Sequence, residues 1–446
     1  MDPVLLARIQ FGLTIAFHFL FPPVSIGLAW LICYMAWRYL RTGEKIYDQM
    51  SSFWIKIFAM IFTAGVATGI TMEFQFGTNW STYSRFVGDI FGSPLAAEGI
   101  LAFFLESTFM GVLLFGKKRV SRAFYWFSSL MVAVGSSMSA LWIIVANSWM
   151  QTPVAYKIVG EGAMRRAELT DFWAAVFNPS MLLRFSHTVV GSIVAGAFFM
   201  AGISAWYLLK KRHIDFAQRS LRYSLITAAV FTVVVGLIGH FHSDQVYETQ
   251  PAKMAAFEGL FETTKGAPLA VFGFPDEEEQ TVHLAIRIPK LLSFLLYWDL
   301  DAEVIGLDQF PEDEWPPVAV TFYSYHLMFL FGLYFIGLSW GSLLLKDKLY
   351  TNKLFLSALM FSFPIPIIVM ELGWMAAEFG RQPWVVYGLL KTEDAASVVV
   401  PPGQILFTII MFTLVYTAIL ALVIFLIRKR VIQGPGLVEA VEAKPE

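Results

Sequence analysis

A few ionisable or sulfur-bearing side chains interrupt the long apolar stretches of this 446-residue chain. They are His18, Glu98, Glu106, His187, His326, Met328, Glu371 and Glu378. Ionisable groups inside a membrane helix are costly, and they usually face a cavity, a cofactor or one another. Imidazole and thioether groups on separate helices are suitable axial ligands for haem iron, and nearby carboxylates suit proton delivery or ligation of a high-spin iron.

One segment near the C-terminal end concentrates this chemistry on a single helix face. Glu371, Trp374 and Glu378 are spaced i, i+3 and i+7, so they lie on the same side of a helix. Arg381 and Gln382 extend that face by about another turn. The pattern predicts a polar site at the end of a buried helix.

Each of these residues also has an ordinary structural interpretation. A buried His18 or His187 can be a hydrogen-bonded core residue, and Met328 can simply fill a gap. Glu98 and Glu106 can pair with each other or line a transport pathway. Outside the apolar stretches, Lys253 and Glu258 can form a solvated pair, and we expect the other histidines to lie at the surface: His213, His240, His242 and His283. The residue pattern alone therefore leaves a redox enzyme and a proton-coupled transporter open.

The composition decides the class of protein that must hold these residues. Hydrophobic residues make up 57% of the chain and charged residues only 15%, with a formal net charge of −2. Soluble domains have nearer a quarter of their residues charged. These values exclude a water-soluble enzyme, a disordered chain and a nucleic-acid-binding protein, and the single Cys33 excludes an intrachain disulfide framework.

The apolar stretches predict an all-α polytopic membrane protein with about nine transmembrane helices. A bilayer core needs about 20 apolar residues in helical form, and these stretches are too long and continuous for the strands of a porin-type barrel. The predicted spans are 10–37, 54–76, 95–116, 124–147, 182–209, 220–240, 318–345, 354–378 and 403–427.

The distribution of lysine and arginine predicts the orientation of these helices. Basic residues cluster after the first, third, fifth, seventh and ninth spans, which places those ends in the cytoplasm and the N-terminus outside. We therefore divide the chain into four parts: helices 1–6 in 1–240, an extracytoplasmic loop in 241–317, helices 7–9 in 318–430 and a cytoplasmic tail in 431–446.

Three longer motifs carry a resemblance to a known family. They are 65–80 (GVATGITMEFQFGTNW), 98–108 (EGILAFFLEST) and 378–384 (EFGRQPW). Supporting matches include 139–142 (SALW) and 146–151 (ANSWMQ). In these motifs, their order and the nine-span layout, the chain resembles subunit I of the cytochrome bd quinol oxidases, which are terminal respiratory oxidases.

The resemblance implies roles for particular residues. His187 and Met328 match the axial ligands of a low-spin haem b, while His18 and Glu378 match ligands of the two high-spin haems, one b and one d, in an order left open. Lys253 and Glu258 match residues of the quinol-oxidation loop. The remaining matches are Glu98 and Glu106 at the di-haem oxygen site, Ser107, Ser139 and Asn147 on a proton route, and Arg381, Gln382 and Trp384 around the haems.

The same resemblance implies the reaction and its setting. Quinol is expected to be oxidised at the outer face and O2 reduced to water at the di-haem site, which generates a proton motive force without pumping. The expected location is the bacterial or archaeal cytoplasmic membrane, and the expected partners are a second membrane subunit (subunit II) and small accessory subunits. The alternatives are a cyanide-insensitive variant with only b-type haems and, in another class, a proton-coupled transporter.

Two features depart from the commonest family pattern. The outer loop runs directly from Leu307 to Pro316 without a long insertion, which resembles the short-loop type and leaves the quinone open. His326 stands where the family often has arginine, two residues before Met328. It is therefore a rival axial ligand, although Met328 keeps the spacing of the motif.

Overall fold

The computed structural model describes residues 2–436, apart from the side chain of Ala163, so most of the predicted tail lies outside the described residues. By length and composition, eight helical segments can cross a membrane, and a bent helix pair makes a ninth if it counts as one span. The predicted helical membrane architecture is thus confirmed, with short strands only between the spans. The helices of the spans are α1 (Pro3–Phe19), α2 (Pro22–Thr42), α3 (Lys45–Thr78), α4 (Ser81–Ala97), α5 (Phe104–Gly111), α6 (Arg122–Gln151), α8 (Met181–Leu209), α9 (Ile214–Thr249), α12 (Val318–Leu345), α13 (Lys353–Ser362), α14 (Ile365–Phe379) and α15 (Pro402–Gln433).

The first span is broken, whereas the sequence predicts one continuous helix over 10–37. Helix α1 begins earlier, where the Asp2 side chain accepts a hydrogen bond from the backbone N–H of Val4 at 2.9 Å, and it ends at Phe19. Pro22 and Pro23 then start α2. Proline has no backbone N–H and its ring clashes with the preceding turn, so the helix cannot continue through this pair. The break leaves His18 in the last turn of α1.

The third span changes its helical pitch at the predicted carboxylates. Helix α4 ends at Ala97, a π-helical segment runs over Glu98–Phe103, and α5 carries Glu106. A π-helical turn accommodates an extra residue and is frequent at functional sites. It changes the angle between residues before and after it, so an unbroken helix would orient the two carboxylates differently.

The eighth predicted span, 354–378, is the bent pair of α13 and α14. These helices meet at 40°, with Pro364 preceding α14 and Pro366 in its first turn. Each proline removes a backbone donor, which explains the bend. The bend turns α14 and its C-terminal Glu378 relative to α13.

Short elements fill the segments between the spans. Helix α9 continues to Thr249, beyond the apolar stretch, so the segment predicted to begin as a loop at 241 begins as helix. Four two-stranded antiparallel ladders pair β1 with β2, β3 with β6, β4 with β5 and β7 with β8. The strands and the remaining α-helices are β1 (Tyr156–Val159), β2 (Arg166–Leu169), α7 (Phe172–Val176), α10 (Pro251–Glu258), β3 (Thr264–Lys265), β4 (Leu269–Asp276), β5 (Thr281–Ile288), α11 (Leu291–Tyr297), β6 (Glu303–Val304), β7 (Trp384–Val386) and β8 (Leu390–Lys391).

Helices α2 and α8 approach each other closely where two glycines meet. A Cβ built on Gly27 would lie 2.8 Å from the Cα of Gly196, and a Cβ on Gly196 would lie 2.7 Å from the Cα of Gly27. No real Cβ fits at that separation, so both positions require glycine. Glycine pairs of this kind let membrane helices pack backbone to backbone.

Candidate functional site

His18 is oriented by a hydroxyl group on the neighbouring helix α3. Its Nδ1 lies 3.0 Å from the Thr68 Oγ1, and that hydroxyl donates its own hydrogen to the carbonyl of Ala64 at 2.9 Å. The hydroxyl therefore accepts from the imidazole, so Nδ1 carries the proton and Nε2 keeps its lone pair. Metal-binding histidines are commonly oriented in this way. Gly69 provides the space, since a Cβ there would lie 3.2 Å from the ring.

The other two predicted iron ligands with neutral side chains also lie against glycines. A Cβ on Gly239 of α9 would lie 3.2 Å from Cε1 of His187, and a Cβ on Gly373 of α14 would lie 3.0 Å from the sulfur of Met328. The Nδ1 of His187 is buried without a hydrogen-bond partner. Each of the three ligand candidates thus approaches a neighbouring helix at a glycine, where no side chain occupies the space.

His242 was expected at the surface, and this prediction is wrong. Because α9 extends to Thr249, His242 lies in a helix, with its ring centre 6.0 Å from that of His187. Its Nε2 is buried and has no hydrogen-bond partner. The sequence gives no clear signal for this, since polar residues beyond an apolar stretch look like the start of a loop.

Glu378, the last predicted ligand, is held by several donors at the end of α14. Its Oε1 accepts from the Asn147 amide at 3.0 Å and from the Gln151 amide at 3.2 Å. Its Oε2 accepts from Arg381 at 2.5 Å. Arg184 lies 3.6 Å from Oε1 and also donates to Asn147 at 2.5 Å. Charge-assisted bonds of this kind fix both the position and the orientation of a carboxylate.

Positive charge exceeds negative charge around this carboxylate. Arg184, Arg381 and Lys253 are all at least 95% buried, and all three act electrostatically on Glu378. Several of their donor atoms have no partner, namely Nε of Arg184 and both Nε and Nη1 of Arg381. Buried charges need compensation. The site therefore requires further anionic groups, and the partnerless N–H groups are where such groups would bind.

The two predicted residues of the outer loop are buried in α10 rather than solvated. Lys253 is 2% exposed and Glu258 is 4% exposed, and they are not paired with each other. Burial, reinforced by Arg184 and Arg381, lowers the pKa of Lys253 well below its usual range, although Glu378 opposes this shift. Burial alone raises the pKa of Glu258 to about 8, and its Oε2 has no hydrogen-bond partner. The alternative of a solvated surface pair is thus wrong.

Glu98 and Glu106 both face helix α6, in a less polar setting. The Ser139 hydroxyl donates to Glu98 at 2.7 Å, while the second oxygen of Glu98 has no partner. Glu106 packs on Gly135, where a Cβ would lie 2.7 Å from its Cγ. No ion pair within the described residues involves either carboxyl, so both are held loosely compared with Glu378.

His326 is engaged elsewhere and offers no nitrogen to an iron. Its Nδ1 lies 2.9 Å from the carbonyl of Phe322, and its Nε2 contacts the carbonyl of Ala270 on β4. Its ring stacks on Phe322 at 4.0 Å. His326 therefore joins the outer hairpin to the helix of Met328, which favours Met328 over His326 as the ligand.

Not every predicted site residue joins these clusters. Ser107 is exposed and donates to the carbonyl of Phe103 on its own helix. Asn147 lies at Glu378 rather than near Glu98 or Glu106. Trp384 packs against Lys391, and Gln382 accepts from Thr392 at 2.8 Å.

Sequence reasoning missed Arg184, although its signal is present. An arginine inside an apolar span is expensive and marks a functional region, and Arg184 lies three residues before His187. Thr68 and Gln151 give no such signal, because a hydroxyl or an amide is common in membrane helices.

Comparison with known proteins agrees with this geometry. Residues 6–435 match the family model described as cytochrome bd terminal oxidase subunit I. The chain belongs to the cytochrome bd terminal oxidase subunit I family. It is 40% identical to the cytochrome bd ubiquinol oxidase subunit 1 of Bacillus subtilis (strain 168), over 97% of this chain and 94% of the relative. It is 34% identical to the cytochrome bd-II ubiquinol oxidase subunit 1 of Escherichia coli (strain K12), over 98% of each chain.

A solved member of the cytochrome bd family has the same fold. The bd oxidase structure from Geobacillus thermodenitrificans superposes with a TM-score of 0.91 at 30% identity, over 97% of this chain and 99% of that one. The chain is thus a multi-pass membrane protein of a bacterial respiratory oxidase family, and it is a quinol oxidase subunit. The family implies haem cofactors. Haem propionates are anionic, and the partnerless donors of Arg184 and Arg381 suit them.

Proposed function

We propose that this chain is the haem-bearing subunit of a terminal oxidase that oxidises quinol at the outer membrane face and reduces O2 to water at a di-haem site. We further propose that His187 and Met328 hold a low-spin haem b, and that His18 and Glu378 hold the two high-spin haems, one b and one d. A variant with only b-type haems remains the alternative within the family.

One observation carries the proposal beyond family membership. Buried positive charge from Arg184 and Arg381 surrounds Glu378, and the Nε atoms of both arginines have no hydrogen-bond partner. A proton-coupled transporter needs a carboxyl that is free to bind and release, whereas Glu378 is tied to Arg381 at 2.5 Å. Excess cations with free N–H groups suit a site that binds anionic cofactor groups instead.

Different residues of the chain act in quinol oxidation at the outer face and in proton delivery from the cytoplasmic face. Haem iron, when bound, supplies one-electron transfer and an open coordination position for O2. At the outer face, Lys253 orients the quinol oxygen and Glu258 accepts a quinol proton for release outside. Within the membrane, Glu98, Glu106 and Ser139 deliver protons taken from the cytoplasm. Because electrons and protons then arrive from opposite sides, the reaction builds a proton motive force without a pump.

The surroundings of the subunit follow from the same proposal. We place it in the bacterial cytoplasmic membrane with a second membrane subunit, subunit II, and small accessory subunits. Apolar side chains on the third span support a partner or lipid on that side, since Ile100 and Phe104 are both exposed.

The test is a dithionite-reduced minus air-oxidised optical spectrum of the purified complex. We expect the bands of b haems together with a far-red band of a chlorin-type haem. Bands of b haems alone would replace haem d with haem b in the proposal. A folded complex that contains no haem would overturn the proposal in favour of a transporter.

A further inference from the structure

Gln151, the last residue of α6, lies where the outer loop meets the helix of Glu378. It is 2% exposed. Its Oε1 accepts from the ammonium group of Lys253 at 2.5 Å, and its Nε2 donates to Oε1 of Glu378 at 3.2 Å. A single amide group thus connects Lys253 with Glu378.

The two ends of this amide are assigned by their partners. An ammonium group only donates and an ionised carboxylate only accepts, so the carbonyl must face Lys253 and the NH2 must face Glu378. The NH2 also lies 3.4 Å from the carbonyl of Ala377. The amide of Gln151 therefore presents an acceptor and a donor at these two positions at the same time.

The backbone of Gln151 binds the same loop a second time. Its carbonyl accepts from the side chain of Gln250 at 2.7 Å, and Gln250 immediately precedes α10. Helix α10 is therefore attached to the end of α6 at its N-terminus and through Lys253. Both attachments run through one residue.

The position of the Lys253 side chain is restricted by its neighbours. Its stem runs over Gly380, where a Cβ would lie 2.8 Å from its Cγ and 3.1 Å from its Cε. Glycine at 380 lets the stem pass, and the passage directs the ammonium group toward Gln151. Within the described residues, Lys253 and Glu378 form no direct ion pair, so the amide is the connection between them.

We propose that Gln151 is a positioning residue that couples the quinol-oxidation segment to the carboxylate that ligates a high-spin haem. This inference rests on the proposed function. A quinol that binds the Lys253 ammonium group moves it relative to the amide, and the amide then changes the hydrogen bonding of Glu378. The quinol site thus acts on the high-spin haem directly, without passing through the low-spin haem.

Two substitutions distinguish the hydrogen bond of Gln151 to Lys253 from its hydrogen bond to Glu378. Gln151→Leu removes both hydrogen bonds at similar volume. Gln151→Glu keeps an acceptor for Lys253 but loses the donor to Glu378 and adds a negative charge beside it. Gln245→Leu is the matched control, because Gln245 is also a buried glutamine at an outer helix end and its amide donates to Thr249 instead.

The measurements on the intact complex are the KM for a soluble quinol and the oxidised-to-reduced ratio of the high-spin haems at a fixed potential. For Gln151→Leu we expect KM to rise about tenfold, since a hydrogen bond to a charged group is lost. We also expect the haem ratio to shift about tenfold toward the oxidised form, which is about 59 mV for one electron. For Gln151→Glu we expect the haem shift with a near-native KM, and for Gln245→Leu we expect neither.

Specific outcomes overturn the coupling. If Gln151→Leu changes KM and leaves the haem ratio native, Gln151 supports the quinol site and does not couple it to the high-spin haem. A native haem ratio in Gln151→Glu would have the same meaning. If Gln151→Leu does not assemble, the Gln151→Glu result decides alone. Failure of the proposed function looks different, because the unsubstituted complex would then lack haem bands or quinol oxidation altogether.

Discussion

The buried carboxyl groups of this chain are held in two different ways. Glu378 accepts hydrogen bonds from two amides and a guanidinium group, with a second guanidinium group 3.6 Å away. Glu98 has one serine donor, and Glu106 packs on Gly135. The dense network suits a carboxylate that keeps its charge and position, as an iron ligand must. The sparse settings suit carboxyls that gain and lose protons without breaking an ion pair.

The largest expected effect separates these two kinds directly. Glu378→Gln should lower the occupancy of one high-spin haem roughly 100-fold, because the proposed ligand is lost and buried cations lose their partner. Glu106→Gln should keep the haem content and slow oxygen reduction roughly 100-fold or more, because a proton carrier is lost. Haem extraction and oxygen consumption measure the two effects. Equal loss of haem in both variants would contradict the distinction between the tightly held Glu378 and the loosely held Glu106.

A smaller effect tests whether Glu258 belongs with the loosely held carboxyls. With a pKa raised to about 8, it is mostly protonated at pH 7, and the carboxylate that we propose accepts a quinol proton forms as the pH rises. Quinol oxidation at saturating oxygen should therefore increase up to about tenfold per pH unit below 8 and then level off. Glu258→Gln should be slow and independent of pH over this range. A native pH profile in that variant would remove Glu258 from proton transfer.

The smallest effect concerns His18, a proposed haem ligand whose side chain is oriented by one hydrogen bond, that to Thr68. Thr68→Val keeps the side-chain shape but removes the acceptor for Nδ1 of His18. Loss of such an orienting bond should weaken haem binding at His18 about tenfold. Thr71→Val is the control, since the Thr71 hydroxyl donates to Ala67 on its own helix. Equal haem affinity in the two variants would mean that Thr68 does not orient the imidazole.

The sequence predicted the parts of the molecule that depend on local hydrophobicity. The spans could be located because apolar runs of sufficient length are rare outside membranes, and His18, His187 and Glu378 stood out because charged and polar groups are rare within such runs. The helix break before Pro22 was missed because apolar residues continue across it. The prolines themselves were a usable signal.

The polar connections of the site could not be predicted in the same way. Asn147, Gln151 and Arg184 converge on Glu378 from α6 and α8, which are far from it in sequence. Their convergence depends on helix packing and on the bend between α13 and α14. His242 depends on the extension of α9 beyond the membrane, which hydropathy does not report.

If His18 and His187 hold haems as proposed, the contact between Gly27 and Gly196 has a consequence for electron transfer. Gly27 follows His18 by nine residues, and Gly196 follows His187 by nine. Since neither glycine can accept a Cβ, a methyl group at either position would force α2 and α8 apart. Helix α8 carries His187, and α2 follows the proline break directly after α1, which carries His18. Electron tunnelling decays exponentially with distance. Under the proposed ligand assignment, two hydrogen atoms in place of side chains therefore help to set the rate of electron transfer between the haems.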